Sequence, residues 1–592
     1  MTVSEFLVSY LKQQEIDSAY AVIGSTAIWL FHALGKEKTI RTICTNHEQA
    51  AVMAADGWAC LKGKPGVVFL TNGPGVTNAI SGVAQAWTDS VPLIIISGES
   101  NSSVLKHEKQ TGMRQYGTQS IRTDIVVSPF VKYYHILNNA ADVRQVIEEA
   151  YYIAMEGRPG PVWISVPIDI QNAQVPENMV GWCPHEHQCT VEEESLIQVK
   201  QALLHAKRPL VVAGQGIRLS QSIKQWKHFI EHYAIPVVTS RMGNDIIESN
   251  HPLFIGRPGN WGSRAAHFAI QTADVLLILG SRLSLGTTGY APWNFAPKAD
   301  KYIVDIDSTE FEKPGIAFKR CIKSDIKEFL TAMETIEIPD TMLPEREKWC
   351  ERCWEWREKY PVMLPEYRTM MPVSTYHFVE RVSALSAEND VILSDTGSCC
   401  NIVSQVWNVK SGQRLRVSGG LSCMGYWATS MGMARAVELC DSRVICIVGD
   451  GSLQMNIQEL GTIAHYGLPV KLMVINNNGY QIIRISQKAY AEDSFFAISP
   501  QTGVGLANTQ HIARAYGIAY RKTERPREVD DAVRWALTYS GPVILEAVVA
   551  EDQVMLPRLT SKVQPDGTLK SASYEDLAPF LSENELRESL ED

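Results

Sequence analysis

The feature that most constrains this chain is a regular alternation of short apolar runs with amphipathic stretches of helical length. "GVVFL" (66–70), "PLIIIS" (92–97) and "PVWISV" (161–166) come first. "PLVVA" (209–213), "DVLLIL" (274–279) and "YIVDI" (302–306) follow, then "VILS" (391–394), "VICIV" (444–448), "VKLMVI" (470–475) and "PVILEAV" (542–548). Runs this short and this continuously apolar suit strands buried on both faces, and the helical stretches between them suit crossovers. The pattern therefore predicts an α/β protein of parallel sheets flanked by helices. Polar stretches near 175–194 and 340–365, the second acidic, Trp-rich and helix-like, read as linkers. They divide the chain into blocks at 1–180, 195–335 and 372–550, with a polar tail over 551–592 expected to wrap a partner surface or stay partly mobile. A shared topology for the first and third blocks is open.

The third block raises a chemical question. Gly449-Asp450-Gly451 ends one apolar run, and Asn476-Asn477-Asn478 ends the next. The segment between them, from Ser452, reads as one amphipathic helix with Leu453, Ile457, Leu460 and Ile463 on a stripe. Both turns then fall at strand carboxyl ends, where open α/β sheets bind ligands. A carboxylate from Asp450, an amide oxygen from Asn477 and the carbonyl of Gly479 are three hard ligands. They suit a magnesium ion that keeps places for two phosphate oxygens and a water. Gly451 and Ser452 open the helix, where free N–H groups face an anion. Either loop alone is read more simply as turn residues; the pair across one βαβ unit is not.

A net charge of −10 argues against nucleic acid or an anionic membrane surface as the main partner. Twelve cysteines scattered through 592 residues, with no signal-peptide pattern at the start, fit a reducing, cytoplasmic compartment. Cys350 and Cys353 have the spacing of a metal or redox pair, but lack a second ligand pair or a preceding strand. They are read as structural.

GDG followed by 24 residues (452–475) and Asn-Asn is the thiamine diphosphate motif, and the chain resembles the acetolactate synthase branch of that superfamily to about residue 550. The resemblance implies an N-terminal pyrimidine-binding domain, a central domain and a C-terminal diphosphate-binding domain. It places the magnesium ligands on Asp450, Asn477 and Gly479. "CTNHEQAAVMAADGWA" is similar to the family segment carrying its essential glutamate, which falls on Glu48. Such a carboxyl at ring N1′ promotes the imino tautomer that makes the cofactor its own base. Without the resemblance, a glutamate at a helix start is simply dipole stabilisation. Gly73, Pro74 and Gly75 match residues of the same cleft. "SGGLSCMGYW" is similar to the segment that bends the cofactor, with Met424 as wedge and the Ser422 carbonyl as acceptor for the 4′-amino group. Gly397 and Ser398 match the diphosphate turn. In this family the two halves of the cofactor site come from different subunits, so a homodimer or homotetramer is implied.

The departures from acetolactate synthase gather around the substrate. Val22-Ile23-Gly24-Ser25 stands where the family has Tyr-Pro-Gly-Gly, and Tyr116-Gly117-Thr118 precedes the family's Gln119. Ser486, a turn beyond Ile482, replaces a tryptophan that selects a small 2-oxo acid acceptor. Losing an indole opens room for a larger, more polar acceptor. The tail is similar to those of relatives associated with surface polysaccharide, which suits a nucleotide-activated keto sugar. Gly214, Gly216 and Arg282 match the central flavin site, but Ser284-Leu285-Gly286 replaces Asp-Asp-Arg, so FAD is left open. The expected activity is decarboxylation of a 2-oxo acid such as pyruvate and transfer of the two-carbon unit to an acceptor carbonyl. The alternatives are acetolactate synthase proper, a simple decarboxylase, a C–C hydrolase, or a cofactor-binding homologue without turnover.

Overall fold

The computed structural model describes residues 1–184, 191–333, 343–491, 494–563 and 569–591. Its frame is three six-stranded sheets whose neighbouring strands all run parallel. The first holds β1 (Ser18–Ala21), β2 (Arg41–Cys44), β3 (Gly66–Leu70), β4 (Leu93–Glu99), β5 (Tyr133–Ile136) and β6 (Pro161–Pro167). The second holds β7 (Pro209–Ala213), β8 (Val237–Thr239), β9 (Phe254–Gly256), β10 (Val275–Leu279), β11 (Asp300–Asp305) and β12 (Arg320–Lys323). The third holds β13 (Val391–Ser394), β14 (Arg414–Val417), β15 (Val444–Gly449), β16 (Val470–Asn476), β17 (Ala519–Thr523) and β18 (Val543–Val548). Every residue of β3, β4, β6, β7 and β10 is buried, as continuous apolar runs require.

The first sheet runs β2-β1-β3-β4-β6-β5 and the third repeats that order as β14-β13-β15-β16-β18-β17, so the two blocks do share a topology. The middle sheet runs β12-β11-β10-β7-β8-β9. Its strand order reverses between β7 and β10, the switch point at which doubly wound sheets open a crevice. The first and third blocks are fused through one continuous apolar core. There the helices Glu48–Lys62 and Thr429–Ala436 cross at two glycines. A Cβ on Gly57 would stand 2.1 Å from the Thr429 carbonyl oxygen, and one on Gly432 would stand 1.7 Å from that of Ala54. Nothing larger than glycine allows this approach.

Three expectations need correction. The single helix from Ser452 is two, Asp450–Gln454 and Glu459–Tyr466. It breaks at Asn456, whose φ is +69° and whose side-chain amide donates to the Gly425 carbonyl at 3.0 Å. An Asx side chain competes with the helix for backbone partners, and here it wins. The acidic Trp-rich stretch is a helix, Leu343–Lys359, but it is no free linker: Trp349, Cys353 and Trp356 are buried in the core of the middle block. The tail packs on its own chain, with Tyr574 stacked on the buried His267 of the middle block at 4.1 Å between ring centroids. Residues 185–190 of the earlier linker, 334–342 at the second boundary and 564–568 of the tail lie outside the described residues. Among the described residues no helix is long and apolar enough to cross a membrane, and no His, Cys, Asp and Glu side chains group as a metal cluster.

Candidate active site

β15 and β16 are adjacent and parallel, with Gly449 opposite Ile475, so the turns that follow them emerge side by side. Asp450 accepts the N–H of Gly451 on Oδ1 at 2.9 Å and that of Gly479 on Oδ2 at 3.0 Å. Burial pushes its carboxyl up to about 7, against the pull of those N–H groups. The three asparagines divide their work. Asn476 accepts the Asn478 N–H on its Oδ1 (3.1 Å) and donates to Glu546 (2.7 Å), building the turn. Asn477 is only 4 % exposed, and its amide donates to Gln481 Oε1 at 3.0 Å. That leaves Asn477 Oδ1 buried with no protein partner among the described residues. A buried oxygen left unsatisfied costs about 1–3 kcal/mol unless a water, an ion or a ligand meets it. Gly479 has φ +137°, and a Cβ there would lie 1.8 Å from the Ile498 carbonyl oxygen, so the backbone is forced to glycine.

The next turn of the sheet lies beside it. Gly397 (φ +84°) leads into the helix Ser398–Val406, and the Ile482 side chain lies over Gly397. Asp395, not singled out in the sequence, organises this end. It accepts the Ser452 hydroxyl at 2.8 Å, the Trp427 N–H at 3.1 Å and the Thr396 N–H at 2.6 Å. Ser452 in turn accepts the Gly425 N–H at 2.8 Å. The loop bearing exposed Ser422 (φ +54°) and half-buried Met424 is thus tied above the acidic turn. The signal for Asp395 was its place after "VILS", at a strand end like Asp450.

The remaining residues gather on the first sheet. Glu48 opens its helix, capped by His47, and its buried carboxylate accepts from Asn78 Nδ2 at 3.0 Å. A Cβ on Gly24 would meet Thr71 at 2.4 Å, one on Gly75 would meet it at 2.9 Å, and one on Gly73 (φ +58°) would meet the Gln119 carbonyl oxygen at 2.4 Å. These close approaches draw Ile23, Gly24, Ser25, Gly73, Gly75 and Gln119 into one group at the strand carboxyl ends. Glu108 shapes the loop before Gln119, accepting the N–H groups of Tyr116 (2.5 Å) and Gly117 (2.8 Å) and the Ser120 hydroxyl (2.6 Å). The two groups meet through the Glu48 helix: Gln49 Nε2 lies 3.9 Å from Cys423 Sγ, and Asn456 Nδ2 lies 3.7 Å from Met53 Sδ. Ser486 stands apart, exposed on the helix Gln481–Tyr490, its hydroxyl donating to the Ile482 carbonyl at 3.0 Å. Among the described residues no hydrogen bond links Ile23, Ser25 or Gln119 to Ile482 or Ser486.

A cleft of about 610 Å³ opens at the switch point of the middle sheet and reaches Gly419, Gly420 and Ser422. A Cβ on Gly214 would lie 2.0 Å from the Gly280 carbonyl oxygen, so the two turns at its floor touch through backbone. Arg282 and Gly216 line it, as do Ser284, Leu285 and Gly286, which bring it no charge.

Residues 1–121 match the family model for the thiamine pyrophosphate enzyme N-terminal TPP binding domain, 196–333 that for the central domain, and 395–547 that for the C-terminal TPP binding domain. The acetolactate synthase large subunit of Lactococcus lactis subsp. lactis (strain IL1403) is 30% identical over 578 residues, covering 95% of each chain. That of Porphyra purpurea is 32% identical over 534 residues, 88% of this chain and 86% of the relative. The acetolactate synthase isozyme 1 large subunit of Escherichia coli (strain K12) is 28% identical over 560 residues, 94% of this chain and 95% of the relative.

Proposed function

The chain belongs to the acetolactate-synthase-like thiamine pyrophosphate enzymes, and from that premise we propose that it decarboxylates a 2-oxo acid, pyruvate for choice, and transfers the two-carbon unit to an acceptor carbonyl larger than a second pyruvate, such as a keto sugar nucleotide. Bound thiamine diphosphate would supply a carbon nucleophile and the electron sink for loss of carbon dioxide.

The chain's own residues do the rest. Asp450, the Asn477 Oδ1 that has no partner among the described residues, and the Gly479 carbonyl would hold magnesium, whose charge would favour the ionised form of the buried Asp450 carboxyl. N–H groups of Gly451 and Ser452, with Gly397 and Ser398, would receive the diphosphate. Met424 would prop the two rings, and the Ser422 carbonyl would accept the 4′-amino group. Glu48 would hold a proton at N1′, oriented by Asn78. Gln119, with Ile23, Gly24 and Ser25, would face the substrate from the first sheet and Ile482 and Ser486 from the third. We assign the complete site to two copies of the chain. The support is the resemblance to the family, in which the two halves come from different subunits, and the large apolar surface that Ile23, Tyr116 and Phe496 expose. The flavin is given no step.

The observation that carries the choice of acceptor is Ser486, small, exposed and turned back on its own helix, at the position where the resemblance to the family implies an indole. The test is product analysis by mass spectrometry of enzyme with magnesium, thiamine diphosphate and pyruvate, with and without keto sugar nucleotides. Slow acetolactate formation alone and a faster, branched product with the bulky acceptor are expected, and Ser486→Trp should suppress the second more than the first. Rapid acetolactate formation with no gain from any bulky carbonyl returns the chain to acetolactate synthase proper.

A further inference from the structure

The helix Ser398–Val406 begins at the diphosphate turn, and its far end opens on a second cleft of about 490 Å³. This cleft lies between β9, the Leu343–Lys359 helix with the segment after it, and Trp407-Asn408. Trp354, Val362, Met363 and Val406 give it apolar walls. Two arginines line it as well. The Arg257 and Arg357 guanidinium carbons stand 5.4 and 5.3 Å from the centroid of the same Phe254 ring, and Arg357 is also 4.4 Å from that of Trp354.

The hydrogen bonds these guanidinium groups make go to backbone carbonyls. Arg257 donates to Ser404 (3.0 Å), Trp407 (3.2 Å) and Asn244 (3.3 Å). Arg357 donates to Phe254 (2.6 Å) and Ser249 (2.8 Å). Among the described residues neither pairs with a carboxylate, and the Nε of buried Arg257 has no partner. Arg257 by itself is explained as a cation on the last carbonyls of the helix. A second cation against it is not, because like charges in a low-dielectric cleft raise the free energy of the fold. Burial first, and then the Arg357 charge, pulls Arg257 down to about 10 against the smaller opposing effect of the Asp245 carboxylate, and it is still charged at neutral pH.

We propose that this cleft binds a small organic oxyanion, a carboxylate or phosphate carried on an apolar body, with Arg257 and Arg357 meeting the anion and Trp354, Val362 and Met363 covering the body. Guanidinium groups suit both oxyanions, which they bind in a two-pronged geometry. The site is separate from the acidic turn and does not depend on the function proposed above.

The test is calorimetric titration of enzyme already saturated with magnesium and thiamine diphosphate, so that the cofactor's own anion positions are filled. The probes are 3-phenylpropionate, phenyl phosphate, neutral 3-phenylpropanol and inorganic phosphate. Binding of at least one organic anion is expected, phenylpropionate identifying a carboxylate site and phenyl phosphate a phosphate site, with no binding of the alcohol. Arg357→Gln should weaken it about 10- to 100-fold, the scale of one charge-assisted contact. Val362→Trp, which fills the cleft and leaves both charges, should abolish it, and decides the matter if the arginine variant melts early. The proposal is overturned if neither organic anion binds, if the alcohol or inorganic phosphate binds as well as they do, or if Val362→Trp leaves binding unchanged.

Discussion

At the scale of residues, the asparagine run is explained by unequal burial and bonding of three like side chains. Asn476 and Asn478 shape the turn, while Asn477 keeps a buried oxygen without a partner among the described residues. Asp450 is the one carboxylate in the proposed ligand set of Asp450, Asn477 and Gly479, so Asp450→Ala should abolish magnesium-dependent binding of thiamine diphosphate while the fold survives; calorimetry reads the affinity and circular dichroism the fold. Glu48→Gln should keep the cofactor but slow exchange of its C2 proton by roughly 10²–10⁴-fold, the scale of a lost acid–base group. Quenched NMR measures that rate, and an unaltered rate would move the proton relay elsewhere. Asp450 and Asn477 stood out because each sits at a strand end within one spacing signal, whereas Glu48 stood out only through the resemblance to the family. Asn78 and Glu108 did not: they act through hydrogen bonds to residues 30 and 8 to 12 positions away, which no local pattern announces.

At the scale of elements, most strands buried on both faces were readable and several edge strands were not. β5 (YYHI), β14 (RLRV) and β17 (AYRKT) are edges, and their polar and aromatic mixtures carry no continuous apolar run. The broken helix after Asp450 was hidden for another reason: its stripe is genuine, but Asn456 spends its amide on Gly425, a tertiary contact. The tail gives a pH prediction. His267 is fully buried against Tyr574, its Nδ1 bonded to the Tyr574 carbonyl at 2.5 Å and its Nε2 accepting the Gly259 N–H at 3.1 Å. Burial pulls its pKa from 6.5 down to about 4. Because the folded value is depressed, this stability is present above pH 6.5 and is lost as pH falls toward 4, amounting to roughly 3 kcal/mol at most. Melting temperature between pH 7 and 4 should therefore fall more steeply in the wild type than in His267→Gln.

At the scale of the whole molecule, the repeated strand order of the first and third sheets gives two similar halves, one carrying Glu48 and the other Asp450, around a middle sheet of different order. The class of fold followed from the alternation of apolar runs. The docking of the tail and of the Leu343–Lys359 helix on the middle block did not, since both depend on scattered aromatics such as Tyr574 and Trp356 finding distant partners. The account's central claim is that a working cofactor site takes Glu48 from one copy and Asp450 from another. The direct measurement is activity after Glu48→Gln and Asp450→Ala chains, each nearly inactive alone, are co-expressed and purified together. Random pairing in a two-fold assembly leaves one intact site in each mixed pair, so roughly a quarter of the wild-type rate should return. No recovery from chains shown to associate would place both residues in a site made by a single copy, and contradict the account.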